Sequence, residues 1–341
     1  MGRGSYDLAA AWAHKWHVAN RGGASTRAGS WLMSNEYKRR LYMQTLPIAG
    51  LCRTRSANSS VTDSAAAATA LACGEKTNNG MLGMKPDGSH LKSIAFIAKE
   101  KGKSVGLITN DSLYGATPAG FYAHRAHRSM SEEIIGDMAE CGFDVLIGNR
   151  ESKQFVENIS ARFETNGYHF VDSLKGVADA PADASVLGQI SSSIFKTEDS
   201  IIADLTMAAI ERFEGNTNGF FLMVESCYPD KGGHANEPFV TIMGVIQADW
   251  ITKKAVEYAM TRDDTLVIVT ADHETGGLSA VMSPALDAQA IYTFTTGDHT
   301  GEPVPIYAFG AGSAKFGNVL DNTEIPQNIA GFWGAVLPQE K

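Results

Sequence analysis

Five short apolar runs constrain this chain more than anything else in it: Ser104–Thr109, Asp144–Gly148, Phe220–Glu225, Thr265–Thr270 and Val304–Phe309. They do not alternate with polar residues, as a strand with one wet face would. Continuous apolar strands are buried on both faces, and parallel sheets covered by helices are built from them. Helical patterns separate the runs, over Leu91–Lys101, Ser131–Cys141, Ile202–Phe213 and Ile242–Met260. The spacing therefore predicts an α/β chain with a mostly parallel central sheet and helices on both faces. A hydrophobic fraction of 44% over 341 residues supplies the core. Residues 1–341 read as a single domain, without internal repeats. A weak strand is expected near Tyr168–Val171, and the apolar pieces over Leu46–Leu51 suggest a short edge strand.

The N-terminal stretch reads differently. Residues 5–19 look helical, with Leu8, Trp12 and Trp16 on related faces. His14 and His17 have a spacing that could hold a metal, but an amphipathic helix surface explains them better. Met1 to Trp12 is too short and too polar for an export signal, and no run has the length of a membrane span. A net charge of −9 argues against nucleic acid as a partner. Cys52, Cys73, Cys141 and Cys227 are widely spaced, with neither zinc-knuckle nor disulfide-framework patterning.

Chemistry enters at Val61-Thr62-Asp63-Ser64, which runs into the alanine-rich stretch Ala65–Ala70. Thr, Asp and Ser favour helix starts because their oxygens accept from orphan backbone N–H groups. The same N–H groups and the helix dipole attract anions. Alone, the stretch is better explained as a capped helix without chemistry. Three later clusters change its meaning. Glu225 ends one apolar run, with Asp230 and His234 following. Asp272-His273 ends the next. His299 lies just before the last. Ligands of doubly covered sheets bind beyond the carboxyl ends of strands. Carboxylate with imidazole suits zinc, and carboxylate with hydroxyl suits magnesium.

In order along the chain, Thr62-Asp63-Ser64-Ala65-Ala66, Ala116-Thr117-Pro118-Ala119, Glu225 with Asp230 and His234, Thr270–Gly277 and His299-Thr300-Gly301 resemble the alkaline phosphatase family. The likeness spans roughly residues 40 to 341. It implies an alkaline-phosphatase-like sandwich and a phosphomonoesterase with two zinc ions and one magnesium. Ser64 resembles the nucleophile that becomes phosphorylated. Asp230, His234 and His299 resemble the ligands of the first zinc, Asp272 and His273 those of the second. Thr117 and Glu225 resemble magnesium ligands. Arg128 resembles the arginine that grips phosphate, with Arg125 as its bland neighbour. Lys231 and Asp63 stand just behind these groups. Small phosphate monoesters are the implied substrates, a homodimer the implied assembly, and the periplasm or the exterior the implied location.

The sequence also departs from the family. Members begin with an apolar strand ending in Asp-Gly, and that Asp bridges the second zinc and the magnesium. Nothing here resembles it. The expectation is a chain truncated before Met1, lacking a central strand and one bridging carboxylate, with Asp7 a poor substitute inside a helix. Gly115 stands where some members place Asp or His, which predicts a looser or different third metal. Two alternatives to the monoesterase follow: an inactive metal- or phosphate-binding remnant, and a phosphodiesterase of the same superfamily. The usual sulfatase nucleophile setting is absent.

Overall fold

The computed structural model describes residues 7–13, 40–191, 200–282 and 290–337. The strands in chain order are β1 (Asp7–Ala13), β2 (Ile48–Arg53), β3 (Ser104–Thr109), β4 (Val145–Gly148), β5 (Tyr168–Val171), β6 (Ser185–Gln189) and β7 (Phe220–Ser226). After them come β8 (Thr265–Thr270), β9 (Glu274–Thr275), β10 (Ser279–Met282), β11 (Ala290–Thr293), β12 (His299–Thr300), β13 (Val304–Gly310) and β14 (Val319–Asp321). Ten of them form one sheet in the order β14-β2-β13-β8-β1-β7-β3-β4-β6-β5. All neighbours are parallel except β13, which runs antiparallel to both β8 and β2.

Both faces of β3, β4, β7 and β8 are buried, as continuous apolar runs require, whereas β13, toward one edge, alternates buried with half-buried residues. Leu107, Phe221, Met223, Leu266 and Ile268 point into one core, with helices α1 (Ser64–Cys73), α2 (Ile94–Glu100) and others. Ile108, Leu222, Val224, Val267 and Val269 point into the other, under the helices Ile201–Phe213 and Pro238–Ala259. Period-2 geometry splits each run between the two cores.

Over residues 7–13 the helical expectation is overturned. Residues 7–13 form the central strand β1, parallel to β7 on one side and β8 on the other. The central slot expected to be empty is therefore filled. Parallel pairing with a strand on each side overrides the helical preference of an alanine run. Asp7 pairs with Thr265, at the end of the strand remote from Thr270 and Glu225. His14 and His17 lie outside the described residues. The expected edge strand is β2, one place in from the edge, because the short β14 covers it.

This topology sets the position of the site. The carboxyl ends of β1, β3, β7 and β8 share one end of the sheet. Since β13 is antiparallel, the segment leading into it reaches that same end, and Thr270 Oγ1 donates to Pro305 O at 3.1 Å. β2 also finishes there and leads through residues 54–63 to Ser64.

Candidate active site

Ser64 opens α1 and is nearly covered. Asp63 caps the helix, its Oδ1 accepting from Ala66 N at 3.0 Å. The same oxygen accepts from Gly80 N at 3.0 Å. All ten residues of α1 are buried, and Gly74 closes it in the left-handed region at φ 72°. The helix is therefore a fixed post that aims its first hydroxyl at the sheet end. Ser64 Oγ lies 3.0 Å from His273 Nε2, across 209 residues of sequence.

His273 follows β8 and is fully buried. Its backbone N–H donates to Asp272 Oδ1 at 3.0 Å, and its Nε2 is 3.3 Å from Asp272 Oδ2. Its ring stacks on that of His299 with centroids 3.5 Å apart. The short ribbon between β9 and β12, which pairs His299 with Thr275, brings the two rings together.

His234 ends the helix Tyr228–His234 that follows β7, four residues after Asp230. Residues at that spacing share a helix face, and Asp230 Oδ1 is 3.3 Å from His234 Nε2. It is 3.7 Å from His299 Nε2. The two Nε2 atoms of His234 and His299 face each other at 3.2 Å. Their Nδ1 atoms approach carbonyls, Gly297 O at 2.7 Å and Thr62 O at 2.8 Å. A carbonyl only accepts, so both Nδ1 carry the proton and both Nε2 present lone pairs when the rings are neutral. Two imidazole lone pairs and a carboxylate thus converge on one point. Ligand atoms of Asp230, His273 and His299 all lie within 4.8 Å of one another. The donor chemistry fits zinc, and backbone carbonyls orienting the far ring nitrogens are the usual second layer of such sites.

Two further oxygen-bearing side chains follow from the ends of β7 and β3. Glu225, at the end of β7, is buried and accepts from Thr109 Oγ1 at 2.5 Å. Thr117 is also buried, in the short helix Ala116–Ala119, which packs on β3 and β7. Carboxylate and hydroxyl oxygens fit magnesium rather than zinc.

Arg128 stands at the mouth. Its Nη1 is 3.4 Å from Asp63 Oδ2, and its backbone N–H donates to Gly80 O at 2.8 Å. Arg125 is turned away and ion-paired with Asp137. Lys231 pairs with Asp111 at 2.9 Å. Burial works against the Lys231 charge, and the ion pair with Asp111 favours it. Burial keeps the Cys227 thiol neutral, so Asp111 is the negative charge that counts.

Sequence reasoning missed Thr109, Asp111 and Thr275. Thr275 sits inside a motif already singled out. Asp111 lies in the loop after an apolar run, where an acid is worth testing as a partner for any nearby lysine. Neither pairing leaves a spacing signal, because the partners are 120 and 45 residues away.

A serine held at a buried helix N-terminus, facing imidazoles and carboxylates at the strand ends of a doubly covered sheet, defines a hydrolase of the α/β class. The comparisons with known proteins sharpen this. The family model for alkaline phosphatase matches residues 33–143 and 136–286. Alkaline phosphatase 3 of Bacillus subtilis is 30% identical over 79% of this chain and 76% of its own length. The Escherichia coli alkaline phosphatase is 28% identical over 78% and 72%. The solved alkaline phosphatase from the Antarctic bacterium TAB5 superposes with a TM-score of 0.82 at 27% identity, covering 98% of this chain and 99% of that one. The chain belongs to the alkaline phosphatase family, whose members are phosphoric monoester hydrolases. No helix among the described residues is long and apolar enough to cross a membrane.

Proposed function

We propose that this chain hydrolyses small phosphate monoesters by way of a phosphoserine at Ser64, with two zinc ions and one magnesium as cofactors. The observation that carries the reading is Ser64 Oγ at 3.0 Å from His273 Nε2, at the start of a capped helix. Asp230, His234 and His299 would hold the first zinc, and Asp272 and His273 the second. Thr117 and Glu225 would hold magnesium. A variant of the TAB5 enzyme is described with magnesium bound in its M3 site, which supports the third assignment.

Held by these residues, the cations would lower the free-energy cost of removing the Ser64 proton and would neutralise charge on the attacking and leaving oxygens. The rest falls to the chain. Arg128 offers a planar fork to two phosphate oxygens. The N-terminus of α1 adds backbone N–H groups and positive potential behind the phosphorus. Ser64 Oγ attacks in line, forming the ester and expelling the alcohol, and water then releases phosphate from Ser64. Lys231, held by Asp111, adds a cation at the rim. A homodimer exported from the cytoplasm is the assembly and location we propose with it.

The test uses nitrophenyl phosphate and bis-(nitrophenyl) phosphate with the metal-loaded chain, and labelled phosphate trapped by acid quench. The proposal requires the monoester to be faster, label on Ser64, and both lost in Ser64→Ala. A faster diester moves the reading to a phosphodiesterase. No turnover of either, with zinc still bound, leaves a metal-binding remnant.

A further inference from the structure

Thr275 has no part in the reaction as proposed, yet it sits where the two ligand clusters touch. Its side chain is buried, with Oγ1 2.7 Å from Asp230 Oδ1 and 3.1 Å from His273 Nδ1. Asp230 is the acid of one cluster and His273 the imidazole of the other. A hydroxyl carries one proton and can accept as well, whereas an ionised carboxylate only accepts. The Thr275 proton therefore goes to Asp230, and its oxygen accepts from His273 Nδ1–H. With Nδ1 protonated, the neutral form of His273 presents an Nε2 lone pair between Ser64 Oγ at 3.0 Å and Asp272 Oδ2 at 3.3 Å, where a cation would be bound. One hydroxyl sets the orientation of a carboxylate and the tautomer of a ring together.

The backbone is arranged to allow this. β9 carries Thr275 opposite His299 on β12. The helix bearing Asp230 approaches so closely that a Cβ on Gly233 would lie 2.8 Å from Thr275 O and 2.9 Å from its Cβ. Only a residue without a side chain permits that contact, and the contact brings Asp230 within reach of Oγ1.

We propose that Thr275 is a positioning residue that couples the two metal-ligand clusters, by directing Asp230 into one and fixing the Nδ1-protonated tautomer of His273 for the other. The inference rests on the two-zinc reading above and adds the group that keeps both ligand sets in their binding forms.

The test compares the full chain with Thr275→Val, which keeps the branched shape, and Thr275→Ser, which keeps the hydroxyl. Each is stripped of metal, melted, and titrated with zinc against a chromophoric chelator. Cobalt absorption reports ligand geometry, and ¹⁵N NMR at alkaline pH reports the His273 tautomer. Removing such an outer contact weakens metal affinity roughly 10- to 100-fold. We expect that loss and an altered cobalt spectrum in Thr275→Val, recovery in Thr275→Ser, and similar metal-free melting points throughout. Zinc held as tightly by Thr275→Val as by the parent overturns the proposal, as does a Thr275→Ser chain no better than Thr275→Val. A parent chain that takes up no zinc removes the two-zinc reading, and the metal-free tautomer then decides. Nδ1-protonated His273 in the parent, shifting to Nε2 in Thr275→Val, supports the coupling, and an unchanged tautomer refutes it. Should Thr275→Val not fold, an Nε2-protonated His273 in the parent refutes it and an Nδ1-protonated one supports it.

Discussion

His234 and His299 turn their Nε2 atoms toward each other at 3.2 Å, while each Nδ1 rests on a backbone carbonyl. Opposed lone pairs at that separation repel unless a cation stands between them. The carbonyls prevent either ring from relieving the repulsion by changing tautomer. His234→Ala should therefore bind zinc more weakly than the roughly 10- to 100-fold penalty of losing an outer contact. Chelator competition measures it. His299→Ala should lose more, because its ring also stacks on His273.

Asp63 joins the helix cap to the arginine. Asp63→Ala orphans the N–H groups of Ala66 and Gly80 and frees Arg128. Loss of a cap of this kind costs about 1 kcal/mol, with a range of roughly 0.5–2. Denaturant unfolding should show that loss, and steady-state kinetics should show a higher KM for the phosphate ester.

Gly233→Ala tests the approach of the Asp230 helix to β9. The added methyl would collide with Thr275 backbone and side-chain atoms, neither of which is a flexible chain end. Far-UV circular dichroism should stay native, since the change is a single local shift. Zinc affinity should fall, because Asp230 moves away from His299.

Among the described residues, Asp249 is a strong contributor to the pH dependence of stability outside the site. Asp249, buried in the helix Pro238–Ala259, accepts from Tyr42 N and Met43 N at 2.8 Å each. Burial raises its pKa to about 6 in spite of those bonds. A carboxyl raised above its unfolded value holds its proton more tightly when folded. Its contribution is complete below the unfolded pKa and is lost as pH rises through the folded one, here from about 4 to about 6. The swing is on the order of 3 kcal/mol. Asp249→Asn should flatten that limb of the stability curve, and be less stable overall because an amide cannot accept from both N–H groups. Urea unfolding across the range checks both.

Lys231 depends on Asp111 for its orientation. Asp111→Asn should raise KM for the monoester severalfold and leave kcat less changed, since the pair lies at the rim. An equal fall in kcat would place Lys231 at the reacting phosphoryl group instead.

The sheet was legible where strands are continuous and apolar. Thr265–Thr270 reads as a strand from its residues alone, because only burial on both faces suits such a run. Asp7–Ala13 was not legible. Its alanines favour a helix in isolation, and its role as the central strand comes entirely from β7 and β8 on either side. The reversed direction of β13 was equally hidden, since side-chain pattern carries no sense of strand direction. Without that reversal His299 would be at the wrong end of the sheet. The site divides in the same way. Carboxylates and histidines at strand ends were readable as clusters, because strand ends are local features. The pairings of Ser64 with His273, Thr275 with Asp230 and Lys231 with Asp111 were not, for each joins segments far apart in the chain.

By itself, then, the sequence determined that its inner apolar runs are buried, where the helix bearing Ser64 begins and which residue types could hold a cation. Tertiary structure decided strand order and direction, what fills the centre of the sheet, and which polar atoms meet. Burial and capping are written in neighbouring residues, whereas a hydrogen bond across the fold exists only once the intervening chain has packed.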